Sequence, residues 1–568
     1  MKIVTTKQMS KVEQRAEKLG APPKILMRNA GRKLAERIME ITAKEGNSPE
    51  KTSVTFLAGS GNNGGDCFAA AYILVYRGYS VTVVNLVKEP STELAREYFA
   101  ALPDRVKIIT GYRSENIEAA IEAAELDYMT IQDRDVSKLK GKKELSAVEK
   151  ILLREKQRMT EIRSAIISAD ILVDGVFGTG FHGQLEKDLM AIFAVGTGAY
   201  KIAVDIPSGG DGSKGTVSPG CFKADETLCL GCLKFGMTQY PLKKLCGNIT
   251  VADIGIPNEA YDVLSGEHGY YRLERNSLAG FPPKRERDAH KGVFGTVLVI
   301  SGSSSMRGAA AFAALGAMKS GAGLVKVASV EKCIDTISVL APEATYIEME
   351  SDDYGFMLFD SSKDALKEAM DKADAVVIGS GIGVTNDTME IVRYVIANSP
   401  VPVIADADAI NCIARDIEIL TNRKSDVIIT PHPGEMARLL NCDAEMINEN
   451  RIMVAEKYAE KYGITVVLKG AGTIISDRIN TAANHTGNAG MSKGGSGDIL
   501  SGIIGSAVAQ GFSPYDAACA GVYMHGLAGD AAAEKLGQEA MLPRDVIDCL
   551  SDAFRILKEK QSENNSEL

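Results

Sequence analysis

The sequence predicts an α/β protein built from two successive domains. Three observations carry this. Short, continuously apolar, β-branched runs alternate with helix-like stretches along nearly the whole chain, the pattern of parallel strands buried on both faces. Many of the 55 glycines stand at the ends of those runs, where backbone N–H groups of a following helix can approach an anion. The chain has 568 residues, more than one ordinary domain of about 150 needs.

The first series of expected strands comprises residues 53–58 (SVTFLA), 81–86 (VTVVNL), 171–177 (ILVDGVF) and 202–206 (IAVDI), with a helix over 66–77 (DCFAAAYILVYR) after the first. The second begins with GTVLVISG at 295 and continues through 324–329, 375–379, 401–406, 426–430 and 465–468. Between them, 281–291 (FPPKRERDAHK) is proline-bearing, charged and poor in apolar residues, so the boundary is expected there. The domains expected are 1–275 and 285–560, with a charged helical insertion at about 113–165 in the first. Residues 138–163 of that insertion hold nine basic and four acidic residues. Leu145, Leu152, Met159 and Ile166 recur every seven residues, with Val148 and Ile162 between, which reads as an amphipathic helix packed on the domain surface or, alternatively, on a partner.

Composition narrows the function classes. Asp and Glu number 74 against 64 Lys and Arg, a net charge of −10, which argues against nucleic acid as a partner. No apolar run is long enough to span a membrane, and the N-terminus lacks a signal-type apolar core. Ten scattered cysteines fit a reducing cytoplasm better than a disulfide framework. The close pair Cys229 and Cys232 lacks a second half for zinc and reads as part of a buried strand.

The chemistry-bearing motifs sit at strand ends. Residues 59–66 read GSGNNGGD, directly after one strand and before a helix. The glycines open the backbone to a ligand, while Asn62 and Asn63 offer carbonyl and amide groups for a polar ligand or a hard cation. Asp174 and Asp205 end two further strands, ahead of GVFGTG and IPSG. Carboxylates there lie at the crevice where α/β sheets bind ligands, although such an Asp can also cap a helix. In the second half, NAGMSKGGSGD at 488–498 runs into an apolar helix. Its spacing is not that of a Walker A loop, yet glycines at a helix start build an anion hole, and Asp498 in the first turn can take a proton from a hydroxyl attacking phosphorus. TPHPGEMAR (430–438), KGAGT (469–473), GSGIG (379–383) and the Asp406–Asp408 pair follow other strands of this half.

In their order, GSGNNGGD, VDGVFGTG and DIPSG resemble the epimerase domain of the bifunctional NAD(P)H-hydrate repair enzyme family, over about residues 1–260. HKGVFGTVLVISGS, SGAGLVKV, GSGIG, TPHPGEMARL, LKGAGT and GMSKGGSGD resemble its dehydratase domain, over about 285–555. Cys67 and Ala489 depart from the family's usual Gly and Pro. The resemblance implies a Rossmann-like three-layer domain followed by a ribokinase-like α/β domain. It implies that Asn63, Asp174 and Ser208 ligate potassium, and that Asn62, Asn63, Gly64, Gly65, Asp66, Gly178, Thr179, Gly180, Phe181, His182, Gly183, Gln184 and Asp205 contact the hydrated cofactor, with Asp205 also exchanging the proton. In the second domain, Lys469, Gly470, Ala471, Gly472, Thr473, Asn488, Ala489, Gly490, Met491, Ser492, Lys493, Gly494, Gly495, Ser496 and Gly497 would bind ADP, used with magnesium. Ala310, Gly381, His432, Pro433, Gly434, Glu435, Met436, Ala437, Arg438 and Asp498 would hold the hydrate, with Asp498 catalytic. The implied activity interconverts the R and S forms of hydrated NADH and NADPH (NADHX and NADPHX). It dehydrates the S form at the expense of ADP, releasing AMP and phosphate. A homo-oligomer in the cytoplasm is expected. The alternative is a ribokinase-like small-molecule kinase fused to a non-catalytic nucleotide-binding domain.

Overall fold

A computed structural model describes residues 2–111, 147–278 and 280–564. Residues 113–146 of the expected insertion, Leu145 among them, lie outside the described residues. The chain divides into two compact units, Ile3–Gly266 and the part from Glu267 onward.

The first unit is built on seven parallel strands in the order Lys107–Thr110, Ser80–Asn85, Ser53–Ala58, Ile171–Gly175, Tyr200–Val204, Glu226–Leu230 and Asn248–Ala252. Strand side chains alternate between two cores, because successive residues of a strand point to opposite faces. Val54, Phe56 and Ala58 pack with Leu34 and Ile38 of helix Pro23–Lys44 and with Phe68 and Leu74 of helix Asn62–Tyr76. Leu57, Val84 and Leu172 face the other way, onto Met159, Ile162 and Ile166. Those three belong to the helix Ala147–Ile167, so the seven-residue spacing marks a stripe that covers the sheet. The three-layer expectation is met. Cys229 lies in the strand Glu226–Leu230 and Cys232 in the turn after it; both are buried, and neither is in a disulfide.

The second unit carries ten strands of one sheet, in the order Gly269–Arg272, Asn480–Ala483, Ile474–Ser476, Thr465–Leu468, Val427–Ile429, Val403–Ala405, Ala375–Ile378, Thr296–Ile300, Leu324–Val330 and Thr345–Met349. Pairing is parallel from Thr345–Met349 through to Thr465–Leu468 and antiparallel through the two strands that follow. Gly269–Arg272 pairs with Asn480–Ala483, which is why the division falls at Gly266, ahead of the stretch 281–291. Phe281, at the start of that stretch, is buried against the rings of Phe512 and Phe554. No helix among the described residues is long and apolar enough to cross a membrane.

Candidate active sites

In the first unit the strand order reverses between Ser53–Ala58 and Ile171–Gly175, the place where open α/β sheets form a ligand crevice. The Gly59 N–H donates to the Gly175 carbonyl at 3.2 Å, tying the two motif loops together. A Cβ on Gly59 would stand 2.0 Å from the Val176 carbonyl oxygen, and one on Gly64 2.1 Å from the Gly59 oxygen. Only glycine permits this approach. Helix Asn62–Tyr76 starts after Gly61 with no side chain capping it, so its first N–H groups are left to a ligand.

Asp174 is fully buried. Its carboxylate accepts from the Ser208 hydroxyl at 2.6 Å, the Ser208 N–H at 2.8 Å and the Val176 N–H at 3.2 Å. Burial pushes its pKa up, to about 6, against the pull of those bonds. The Ser208 hydroxyl oxygen accepts from the Phe177 N–H at 2.8 Å, and the Asn63 carboxamide donates to the Phe177 and Val204 carbonyls, both at 2.9 Å. Asn63, Asp174 and Ser208 therefore converge on the Val176–Phe177 segment.

Asp205 has φ +66°, a left-handed conformation that a non-glycine residue adopts only when its surroundings enforce it. Its N–H donates to the Leu228 carbonyl at 2.8 Å. Its Oδ1 accepts from the Leu230 N–H at 3.0 Å and from the ammonium of Lys234. Lys234 is buried and also donates to the Leu230 carbonyl at 3.0 Å. Burial alone would push this ammonium's pKa down; Asp205, with the Cys229 thiol behind it, outweighs burial and holds it up. A cavity of about 250 Å³ is lined by Glu13, Asn62, Asn63, Asp66, Thr179, Asp205 and Lys234 among others. Asp66 is buried there, and burial, reinforced by Asp205 and Glu13, pushes its carboxyl well above the usual range.

In the second unit, neighbouring strands deliver Asp406, Thr430 and Lys469 from their C-terminal ends. Asp406 Oδ1 accepts from the Thr430 hydroxyl at 2.6 Å and from the Lys469 ammonium at 2.7 Å. Glu435 lies 3.9 Å from the same ammonium. Helix Ser496–Ala509 begins after Gly495, at φ +103° and again without a side-chain cap. A Cβ on Gly497 would lie 3.3 Å from Lys469 Nζ and 3.5 Å from Asp406 Oδ2, so the helix start rests directly on that pair. Asp498 in its first turn has its pKa pushed up to about 7, by burial first and Asp406 next, with Lys469 opposing. A carboxyl group titrating there is matched to general-base work at neutral pH.

Comparisons with known proteins bear on the family of the chain. The YjeF-related protein N-terminus family model matches residues 23–236, and the NAD(P)H-hydrate dehydratase model matches 297–552. A bifunctional NAD(P)H-hydrate repair enzyme from Moorella thermoacetica is 33% identical, over 99% of this chain and 98% of its own. The chain belongs to the bifunctional NAD(P)H-hydrate repair enzyme family. The member from Escherichia coli is 33% identical over 70% of this chain and 73% of its own. A crystal structure of the ADP/ATP-dependent NAD(P)H-hydrate dehydratase from Bacillus subtilis, co-crystallised with ATP and Mg2+, is 29% identical, covering 51% of this chain and 99% of that one with a TM-score of 0.44.

The structure places the residues that the sequence resemblance implies as follows. Of the segment 178–184, Thr179 lines the cavity, and Gly178 lies where a Cβ would meet the Asn63 carboxamide at 2.7 Å. Phe181 is buried against Phe177, whereas Gly180, His182, Gly183 and Gln184 are exposed. Cys67 is buried with its sulfur in the space that a Cβ on Gly175 would need, so Gly175 makes room for it. Ala310 is buried under Gly302, and Gly381 closes on Met306 and Ala309 of the same helix. His432 caps helix Pro433–Leu440: its Nδ1 accepts from the N–H groups of Gly434 and Glu435, and Glu435 accepts from the His432 N–H at 2.7 Å. Met436 and Ala437 are buried in the core, and Arg438 donates to Asn411 at 3.0 Å. Asn488 donates to the Gly529 carbonyl and Asp530, and Lys493 to the carbonyls of Glu539 and Met541, so both anchor the glycine loop. Sequence reasoning missed Lys234 and Glu13. A signal existed for the first, the single charge inside LCLGCLKFGM (228–237); Glu13 sits in a charge-rich helix and carries none.

Proposed function

We propose that the first unit interconverts the R and S forms of NADHX and NADPHX, and that the second dehydrates the S form with ADP, releasing AMP and phosphate. The observation that carries the reading is Asp498 at an uncapped, glycine-lined helix start beside the Asp406–Lys469 pair. Hydroxide is a poor leaving group, so the hydrate's hydroxyl is first converted to an ester. Asp498 takes the hydroxyl proton as that oxygen attacks the terminal phosphorus of ADP, and AMP departs. The ring nitrogen's lone pair then expels phosphate, and loss of the neighbouring ring proton restores the dihydronicotinamide. The N–H groups at the helix start, left without a side-chain cap, face charge developing on the transferred group; one such donor is worth about 3 kcal/mol. Magnesium would accompany the nucleotide, and Asp406 and Glu435 would offer it hard carboxylate oxygens.

Potassium suits the first site. The donors are all oxygen: the Asn63 carbonyl, the Asp174 carboxylate and the Ser208 hydroxyl. Asp174 is a buried carboxylate that accepts from a hydroxyl and two N–H groups, and a monovalent cation held there would balance its charge. Ten cysteines, none in a disulfide, fit work in the reducing cytoplasm, and a homo-oligomer is part of this reading.

The test mixes NADHX with ADP and magnesium and follows the NADH absorbance band together with the nucleotide product. Recovered NADH with AMP and phosphate is the expected result. A stable phosphorylated product without NADH would instead make the second unit a kinase.

A further inference from the structure

We propose that Lys234 is the positioning residue of the epimerase site: it holds Oδ1 of the Asp205 carboxylate, so that Oδ2 is presented to the substrate as the base. The inference deepens the epimerase reading and rests on it.

Three observations meet here. Oδ1 of Asp205 is saturated by the Leu230 N–H and the Lys234 ammonium, which leaves Oδ2 as the oxygen free to act. The left-handed backbone at Asp205 is a conformation that its surroundings hold at a cost in local conformational energy. Lys234 is the one cation among the described residues lining the cavity, against the carboxylates of Glu13, Glu17, Asp66 and Asp205.

That imbalance makes the lysine necessary. Asp205 is faced by Asp66 from helix Asn62–Tyr76, by Glu13 from helix Thr6–Lys18, by the Cys229 thiol from its neighbouring strand, and by Lys234 from the turn after that strand. The ammonium is the one positive charge that the described lining residues set against them. It is itself held firmly, through its bond to the Leu230 carbonyl and through the next residue, whose N–H donates to the Val4 carbonyl at 2.8 Å.

In the ring-opening route, Oδ2 takes the proton of the hydroxyl on the epimerised carbon. The C–O bond becomes a carbonyl, the bond from that carbon to the ring nitrogen breaks, and the nitrogen takes up a proton. Rotation followed by the reverse steps closes the ring on the other face. Protons balance and nothing is oxidised or reduced, so no co-reactant is needed.

The test uses the full chain without ADP and follows R-to-S conversion by chromatography. Lys234→Met is expected to lower the epimerase kcat about 100-fold and to leave KM little changed. Lys234→Ala is expected to regain activity when methylamine is added. An unchanged kcat, a change in KM alone, or no rescue by methylamine overturns the role. Wild-type protein that fails to interconvert the epimers at all sinks the epimerase reading itself, which separates the two failures.

Discussion

Asp498 shows how one side chain's surroundings set both rate and stability. Its carboxyl titrates at about 7 because burial and Asp406 disfavour the charge. A base must be unprotonated, so the dehydration rate is expected to rise with pH through about 7 and to level off above it. Asp498→Asn should remove that limb and cost about 100- to 10,000-fold in dehydratase kcat, read by NADH recovery from the S form. The same shift has a stability sign. Its folded pKa lies above the unfolded value of about 3.9, so the folded chain holds a proton that the unfolded chain releases. This contribution is full below about pH 4 and lost as pH rises through about 7. The Tm of Asp498→Asn relative to wild type is therefore expected to be higher at pH 8 than at pH 4. At this scale the sequence was readable where a residue's type suffices, as for Asp174, Asp205 and Asp498 at strand and helix ends. It was not readable where a role depends on which partner folding supplies. His432 looks like a ligand contact in a Pro-Gly turn, yet its Nδ1 is spent on the helix cap. Lys234 looks like a stray charge until Asp205 is placed against it.

At the scale of elements, the active helix Ser496–Ala509 is positioned by contact between backbones. A Cβ on Gly502 would stand 2.1 Å from the Ala313 carbonyl oxygen, and one on Gly316 2.5 Å from the Ile499 oxygen. Helices 496–509 and 307–319 thus touch along glycine faces, and the first carries Asp498. Gly502→Ala is expected to force them apart, costing about 1–3 kcal/mol of stability and lowering dehydratase activity with it. Gly308 lies in the first turn of helix Arg307–Lys319 with open space around it, so Gly308→Ala should be neutral or stabilise by up to about 1 kcal/mol. Thermal unfolding of the two variants side by side checks the contrast. Buried parallel strands were legible because their apolar runs are continuous: 53–58 and 465–468 coincide with Ser53–Ala58 and Thr465–Leu468. The edge strands Lys107–Thr110, Asn248–Ala252 and Thr345–Met349 were not, since one exposed side breaks the run with polar residues.

The whole molecule joins two chemistries, and the candidate residues of each lie within one compact unit: Glu13, Asp66, Asp205 and Lys234 in the first, Asp406, Lys469 and Asp498 in the second. Their motif order made the two halves legible. The division at Gly266 was not, because the strand Gly269–Arg272 pairs with Asn480–Ala483, more than 200 residues away in sequence. Candidate sites drawn from separate units have no chemical need to act within one chain. The epimerised hydrate is a stable small molecule that can leave one site and reach the other through solvent. Asp205→Asn should then dehydrate the S form but not consume the R form, while Asp498→Asn should equilibrate the two forms and restore neither. Mixing the two full-length variants in equal amounts is expected to recover conversion of the R form to NADH, at the rate set by each working site's halved concentration. A mixture that stays far below that rate would mean that the epimer passes between sites of a single chain, and free exchange through solvent would have to be abandoned.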